Sequence, residues 1–166
     1  MHSILVSESP YDISTAILKT GSIFGALSDN AIDFLINHGQ LHLVSQHDEI
    51  FAYDGKGESF HLVLHGSLDY FKHHDGKLTR TRTIRFGEAI GFVSMIALHN
   101  RVGSVYALEE GLLLEVNSQL FSDFHDQYPF DFGILLMNLS RDMARIIRVL
   151  SNELVENNVI VKKSEN

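Results

Sequence analysis

Residues Arg85–Val116 read RFGEAIGFVSMIALHNRVGSVYALEEGLLLEV. They close a longer region, Gln40–Val116, in which apolar runs are of strand length and alternate with polar residues. Leu41 and Leu43 share one face. Phe60, Leu62 and Leu64 share another, with His61 and His65 pointing the opposite way. Turn signals recur at Asp54-Gly55, Gly57, Gly66, Asp75-Gly76 and Gly87. Short strands at this spacing predict a barrel or sandwich rather than an α/β sheet. Asp75-Gly76 predicts a type I′ hairpin joining Ser67–His73 to Lys77–Ile84, because both central residues of that turn need positive φ. In the second arm Arg80 and Arg82 alternate with Thr79, Thr81 and Thr83, which reads as a strand with one solvated arginine side.

Outward of the strands the texture is helical on both sides. Met1–His38 is loosely helical, with Ser28 placed to cap Asp29–Asn37 and Gly39 placed to end it. Asn117 caps a short helix to His125, and Pro129 sits where a first turn tolerates proline, opening a long helix to Glu156. Leu136, Leu139, Met143, Ile146 and Leu150 lie at spacings of three and four, an a/d seam. The seam either packs on the barrel or extends a homodimer contact through the 130–156 helix. Ile147, Val149 and Leu154 add flanking apolar surface and favour the dimer. The expected organisation is one domain: helical segment 1–39, β-roll 40–116, C-terminal helices 117–157 and polar tail 158–166.

Composition excludes several classes. With 13 basic against 21 acidic side chains and a net charge of −8, the 166-residue chain is poorly suited to neutralising phosphates, so no DNA partner is expected. Zero cysteines remove disulfides, thiolate nucleophiles and cysteine-ligated zinc. Met1–Pro10 lacks a basic leader and a long apolar run, and the most apolar stretch, Phe130–Leu139, is broken by Asp131 and Asn138. The expectation is a cytoplasmic protein with no membrane partner.

Catalytic and metal chemistry find little support. His61 and His65, if on one strand face, would stand about 13 Å apart. His73-His74 point apart before a hairpin, and His42 and His47 read as surface or rim residues, so no metal site is expected. Ser94 and Ser104 sit in no nucleophile elbow, and no Lys-Ser/Thr pair follows Gly87 and Gly91 as in a Walker loop. The chain is read as no enzyme, without catalytic residues or cofactors.

The segment at Arg85–Val116 resembles the phosphate-binding cassette of the cyclic nucleotide-binding domain family. The matching residues are Gly87-Glu88, Ile90-Gly91, Arg101, Gly103, Val105 and Ala107, and Gly57–Gly66 resembles the family's Gly-Asp-x-Phe-Tyr-hydrophobic run. Phe24–Leu35 and Phe121–Leu154 resemble its flanking helices, so the likeness spans roughly residues 20–157. It implies a mainly β fold, an antiparallel jelly roll of about eight strands with flanking helices and a long C-terminal helix. It also implies an anion site. A helix Val93–Leu98 would aim the Val93 and Ser94 amides at a cyclic phosphate, Gly91 would admit close approach, and Arg101 would supply the bidentate cation. Phe92, Val102 and Gly103 complete the expected ligand-binding set.

One position departs from the pattern. The family's glutamate, acceptor of the ribose 2′-hydroxyl, falls on Phe92, which cannot accept that bond. The ring either plugs the cleft or stacks on a ligand presented differently, such as a cyclic dinucleotide. The adenine-contacting hydroxyl pair of the family has no match near Ile146-Ile147; Arg141, Arg145 and Arg148 either edge a guanine or are solvated. Regulators of this family join the barrel to a DNA-binding module of roughly 60 to 70 residues, whereas ten follow Glu156. The expected function is a regulatory, signal-transducing sensor of cAMP, cGMP or a cyclic dinucleotide, read by a protein partner of unknown identity or a second subunit. The alternative is a ligand-free dimeric scaffold.

Overall fold

In the computed structural model, which describes residues 1–157, the strands are β1 (His2–Ile4), β2 (Gln40–Val44), β3 (Glu49–Phe51), β4 (Ser59–His65), β5 (Leu68–His74), β6 (Lys77–Ile84), β7 (Ala89–Ile90), β8 (Gly103–Ala107) and β9 (Gly111–Asn117). The helices are α1 (Thr15–Leu18), α2 (Asp29–His38), α3 (Phe92–Ile96), α4 (Ser118–Gln127) and α5 (Pro129–Glu156). One antiparallel sheet has the order β1-β2-β9-β4-β7 and the other β3-β8-β5-β6. The eight strands β2–β9 make the expected jelly roll. β1 adds an edge to β2 within the segment expected to be loosely helical: its three residues pair with Leu41–Leu43, and tertiary pairing overrides the weak local pattern.

Strand alternation splits the apolar residues into two cores. On β9, Leu112, Leu114 and Val116 face helices α2, α4 and α5, while Leu113 turns to the space between the sheets. The helical side buries Phe60 and Phe124 completely, each contributing on the order of 1.5–3 kcal/mol. The inner side is lined by Val63, Leu68, Ile84 and Val105. Asp75 and Gly76 take φ of 48° and 71°, as the hairpin required.

Two β-bulges change facing and overturn two expectations. On β4 the register slips between Val63 and His65, so His65 pairs with Leu112 and leaves the face of His61; it lies exposed, stacked on Tyr11. On β6 the slip at Thr81 pairs Arg82 with Tyr70 and Arg80 with Phe71. Arg80 therefore stays outside, paired with Asp69 at 3.2 Å, while Arg82 turns inward instead of sharing a solvated side.

α5 is tied to the N-terminal helices by side chains that sequence periodicity did not single out. The Asp131 carboxylate accepts from the Ser28 backbone N–H at 2.6 Å and from its hydroxyl at 3.0 Å, while Ser28 itself caps α2 through Ala31 N–H. Asn138 donates to the Ile23 and Gly25 carbonyls at 2.9 and 2.8 Å. Leu135 and Leu139 are buried in the core, whereas Ile147, Val149, Leu154 and Val155 are exposed. The seam thus packs on the barrel from Leu136 to Ile146, and Leu150 at its end is exposed together with the flanking residues. No described helix is long and apolar enough to cross a membrane. The polar tail expected at 158–166 lies outside the described residues. Asp131→Ala, which strips two bonds from a helix cap, is expected to cost about 1–3 kcal/mol in denaturant unfolding with an unchanged m-value.

Candidate ligand cavity beneath the long helix

The turn into α3 is made by Gly91, at φ 92°. A Cβ there would stand 2.6 Å from the Arg101 guanidinium and 3.3 Å from the Ser59 carbonyl, so glycine is obligatory. α3 runs Phe92–Ile96, one residue earlier and shorter than the expected Val93–Leu98, because Leu98 takes a positive φ of 55°.

Beside this turn lies a cavity of about 190 Å³. Gly91, Phe92, Val93, Ser94, Val102 and Gly103 line it, six of the seven residues expected at a ligand site. α5 closes it with Leu139, Asp142, Met143 and Ile146, and Phe51, Tyr70 and Arg82 complete the wall. Phe92 does not fill the hollow. Its ring packs edge-on against Phe60 at 5.5 Å and Phe121 at 5.9 Å, anchored in the helical core. The substitution of phenyl for carboxylate at this position is thus part of the packing.

Arg101, the seventh residue, sits behind Gly91 and does not line the cavity. It is 3% exposed. The expectation was a guanidinium facing main-chain donors; instead it donates to acceptors, to Gly91 O at 2.9 Å and to Ser59 O at 2.7 Å, with Ser59 Oγ at 3.3 Å. Phe51 covers the guanidinium face at 4.3 Å, and the Arg101 Nε has no hydrogen-bond partner among the described residues. The reason is geometric: the bent turn at Gly91 directs its carbonyl inward. Burial lowers the Arg101 pKa, with the Glu115 charge opposing.

The cavity's own charges come from residues the sequence reading left aside. Arg82 donates to Ala89 O at 3.2 Å, and burial lowers its pKa against the pull of Asp142 and Glu88. Asp142 is raised above the ordinary carboxylate value by burial and then by Glu88, with Arg82 and Arg145 opposing. Asp142 shares the helix stripe of Leu139, Met143 and Ile146, so a charge on an apolar seam was the available signal. No comparable signal existed for Arg82, whose inward turn depends on the bulge. Arg141 and Arg145 bond to Asn138 and Asp142 on α5, and neither they nor Arg148 line the cavity.

A second polar group lies on the inner wall. His42, expected at the rim, is 7% exposed and bonds Glu115 at 2.8 Å, and His61 approaches the same carboxylate at 3.9 Å. His42 turns inward because Leu41 and Leu43, its neighbours on β2, pack towards the helices. The His42 hydrogen bond holds the Glu115 carboxyl down at about 2. Burial pushes His61 down to about 4, with Glu115 opposing.

The family model described as the cyclic nucleotide-binding domain matches residues 41–128. No curated protein matches the chain. Among solved structures, the chain is similar to the catabolite activator protein of Thermus thermophilus, with TM-score 0.68 and 24% identity over 81% of this chain. It spans 62% of the length of that protein. It is also similar to a cyclic nucleotide-binding domain from Methylobacillus flagellatus KT, with TM-score 0.78 and 16% identity, covering 90% of this chain and 84% of that one. The regulatory domain of Toxoplasma gondii PKA, solved with cAMP, gives TM-score 0.58 and 20% identity over 67% of this chain and 42% of that one. At these identities the solved structures establish the shared jelly roll. Together with a family match running over more than half of the sequence, they place this chain in the cyclic nucleotide-binding domain family.

Proposed function

We propose that this protein is a non-catalytic sensor domain that takes a cyclic nucleotide or a related phosphate ligand into the cavity beneath α5. The observation that carries the reading is the placing of an arginine, Arg82, in a mostly apolar hollow at the cassette turn, with a second buried guanidinium, Arg101, behind it. Neither arginine forms a direct ion pair among the described residues: Asp142 and Glu88 act on Arg82, and Glu115 on Arg101, from farther away, and a phosphate would give Arg82 a direct anionic partner. Val93 and Ser94 border the same space, and Val102 and Gly103 shape its far side. Asp142 offers a carboxylate acceptor to ligand N–H or O–H groups.

At about 190 Å³ the hollow is smaller than an ordinary ligand pocket of roughly 300–1,000 Å³. Leu139, Asp142, Met143 and Ile146 form its cover, so admitting a nucleotide displaces α5. Ligand binding then selects a state in which α5 stands away from the barrel, and the exposed apolar half of that helix carries the change to a second copy or another protein. The ligand-free scaffold remains the competing reading. The observation favouring it is that the Arg101 N–H groups are already bonded to carbonyls and Phe92 replaces the ribose acceptor.

Calorimetric titration with cAMP, cGMP and cyclic dinucleotides tests the sensor. One ligand is expected to bind saturably and, at a hundredfold excess over its Kd, to stabilise the fold by about 2.7 kcal/mol. Arg82→Gln should weaken it about 10–100-fold, the value of a charge-assisted hydrogen bond. Absence of binding by all three classes leaves the scaffold.

The buried Asp142 makes a separate expectation. Its raised pKa means that the ionised form opposes folding increasingly as pH climbs above the ordinary value of 3.8. Asp142→Asn should therefore raise the Tm of the ligand-free protein at neutral pH, and the gain should vanish in acid, where the native carboxyl is protonated. A lower Tm at neutral pH would mean that Arg82 and Arg145 outweigh burial.

Dimerisation through α5 is tested by sedimentation. Ile147→Glu with Leu154→Glu, both on exposed positions, should convert a dimer to a monomer without changing the circular-dichroism spectrum; a monomeric parent chain would refute the interface.

A further inference from the structure

We propose that the inner wall of the barrel holds a divalent transition-metal ion between His42, His61 and Glu115. The three residues come from the neighbouring strands β2, β4 and β9. His61 pairs directly with Glu115, and His42 pairs with Leu113, two residues along β9, so the three side chains meet on one patch. Their inward direction is fixed by what flanks them: Leu41, Phe60, Leu62, Leu114 and Val116 all point to the helical core. One ligand atom from each lies within 4.8 Å of the others. Bonds of about 2.0–2.2 Å set tetrahedral ligand atoms roughly 3.4 Å apart, so the His42–Glu115 pair at 2.8 Å opens slightly and His61, at 3.9 Å from Glu115, closes in, which rotation about side-chain bonds supplies.

The donor set is two imidazole nitrogens and one carboxylate oxygen. That set suits zinc and its first-row neighbours rather than calcium or magnesium, which favour all-oxygen shells.

His61 supplies the second observation. It is 3% exposed, yet its ring makes no hydrogen bond among the described residues: Nε2 stops 3.9 Å from the carboxylate and Nδ1 has no partner. A buried imidazole left this way costs about 1–3 kcal/mol that an apolar side chain would avoid. Coordination gives its lone pair a partner.

His42 is oriented from behind by Ser3, whose Oγ lies 3.3 Å from Nδ1. In the metal-free protein Nε2–H donates to the Glu115 carboxylate at 2.8 Å; on coordination Nε2 would give up that proton to bind the ion, and Nδ1–H would donate to Ser3 Oγ.

The test uses the full chain stripped with chelator and titrated with zinc or cobalt(II) salts alone. One equivalent should bind, with a rise in Tm for zinc and visible d–d absorption of low-symmetry coordination for cobalt. His42→Gln, His61→Gln and Glu115→Gln should each weaken binding by at least about tenfold. His61→Leu guards against misfolding: it removes the unbonded ring, so the metal-free fold should be retained or stabilised while the metal-dependent shift is lost. His74→Gln and His125→Gln, on exposed histidines, should leave both signals unchanged. No Tm shift and no cobalt band in the parent chain would overturn the site. So would signals that persist in His61→Leu and Glu115→Gln, which would place the ion on surface histidines.

Discussion

A guanidinium withdrawn from water must find acceptors for its N–H groups, since leaving a buried charge unbonded is strongly destabilising. Arg101 meets that demand with the carbonyls of Gly91 and Ser59 and the face of Phe51. Those contacts tie together the start of β8, the first residue of β4 and the turn into α3. They also leave no room for a side chain at position 91. Once the turn is held there, α3 has one direction available. Phe92 then enters the helical core, and the rest of the turn walls the cavity.

The cavity is consequently a joint product of barrel and lid. Its barrel side is rigid, built on paired strands and on a glycine turn. Its other side is α5, secured at its first turns through Asp131 and Asn138 and bearing exposed apolar residues farther along. The stretch that covers the hollow, Leu139–Ile146, follows directly on the Asn138 anchor, and the exposed apolar residues lie beyond it. The Asp142 carboxylate lies on the covering stretch, where burial and Glu88 oppose its charge and Arg82 and Arg145 favour it.

Inside the roll, polarity is segregated. Val63, Leu68, Ile84, Val105 and Leu113 form an apolar cluster, while Ser59, His61, His42, Glu115 and Arg101 gather along the same inner surface. Interiors of small barrels are ordinarily filled by apolar side chains. Here the polar residues balance one another incompletely: Glu115 faces two histidines, and the Arg101 Nε and His61 Nδ1 have no hydrogen-bond partner among the described residues. Both features of functional interest, the cavity and the proposed ion site, border this under-satisfied region.

By itself the sequence determined the roll and its helical frame. Period-two alternation at Leu41–Leu43 and Phe60–Leu64, the Asp75-Gly76 turn, the caps Ser28 and Asn117, and Pro129 at the start of α5 are local signals, and each acts within a few residues of where it is written. The cassette spacing likewise located the cavity wall at residues 91–94 and 102–103. The tertiary structure alone decided which polar side chains face inward. A single extra residue at a bulge reverses every facing beyond it, sending Arg82 in and His65 out, and no composition rule registers that slip. Likewise, His42 and Glu115 are 73 positions apart in sequence and meet only because β2 and β9 are neighbours in the sheet. Whether a buried arginine finds carbonyls or a phosphate depends on backbone direction at a turn, which is a property of the closed barrel rather than of any segment within it.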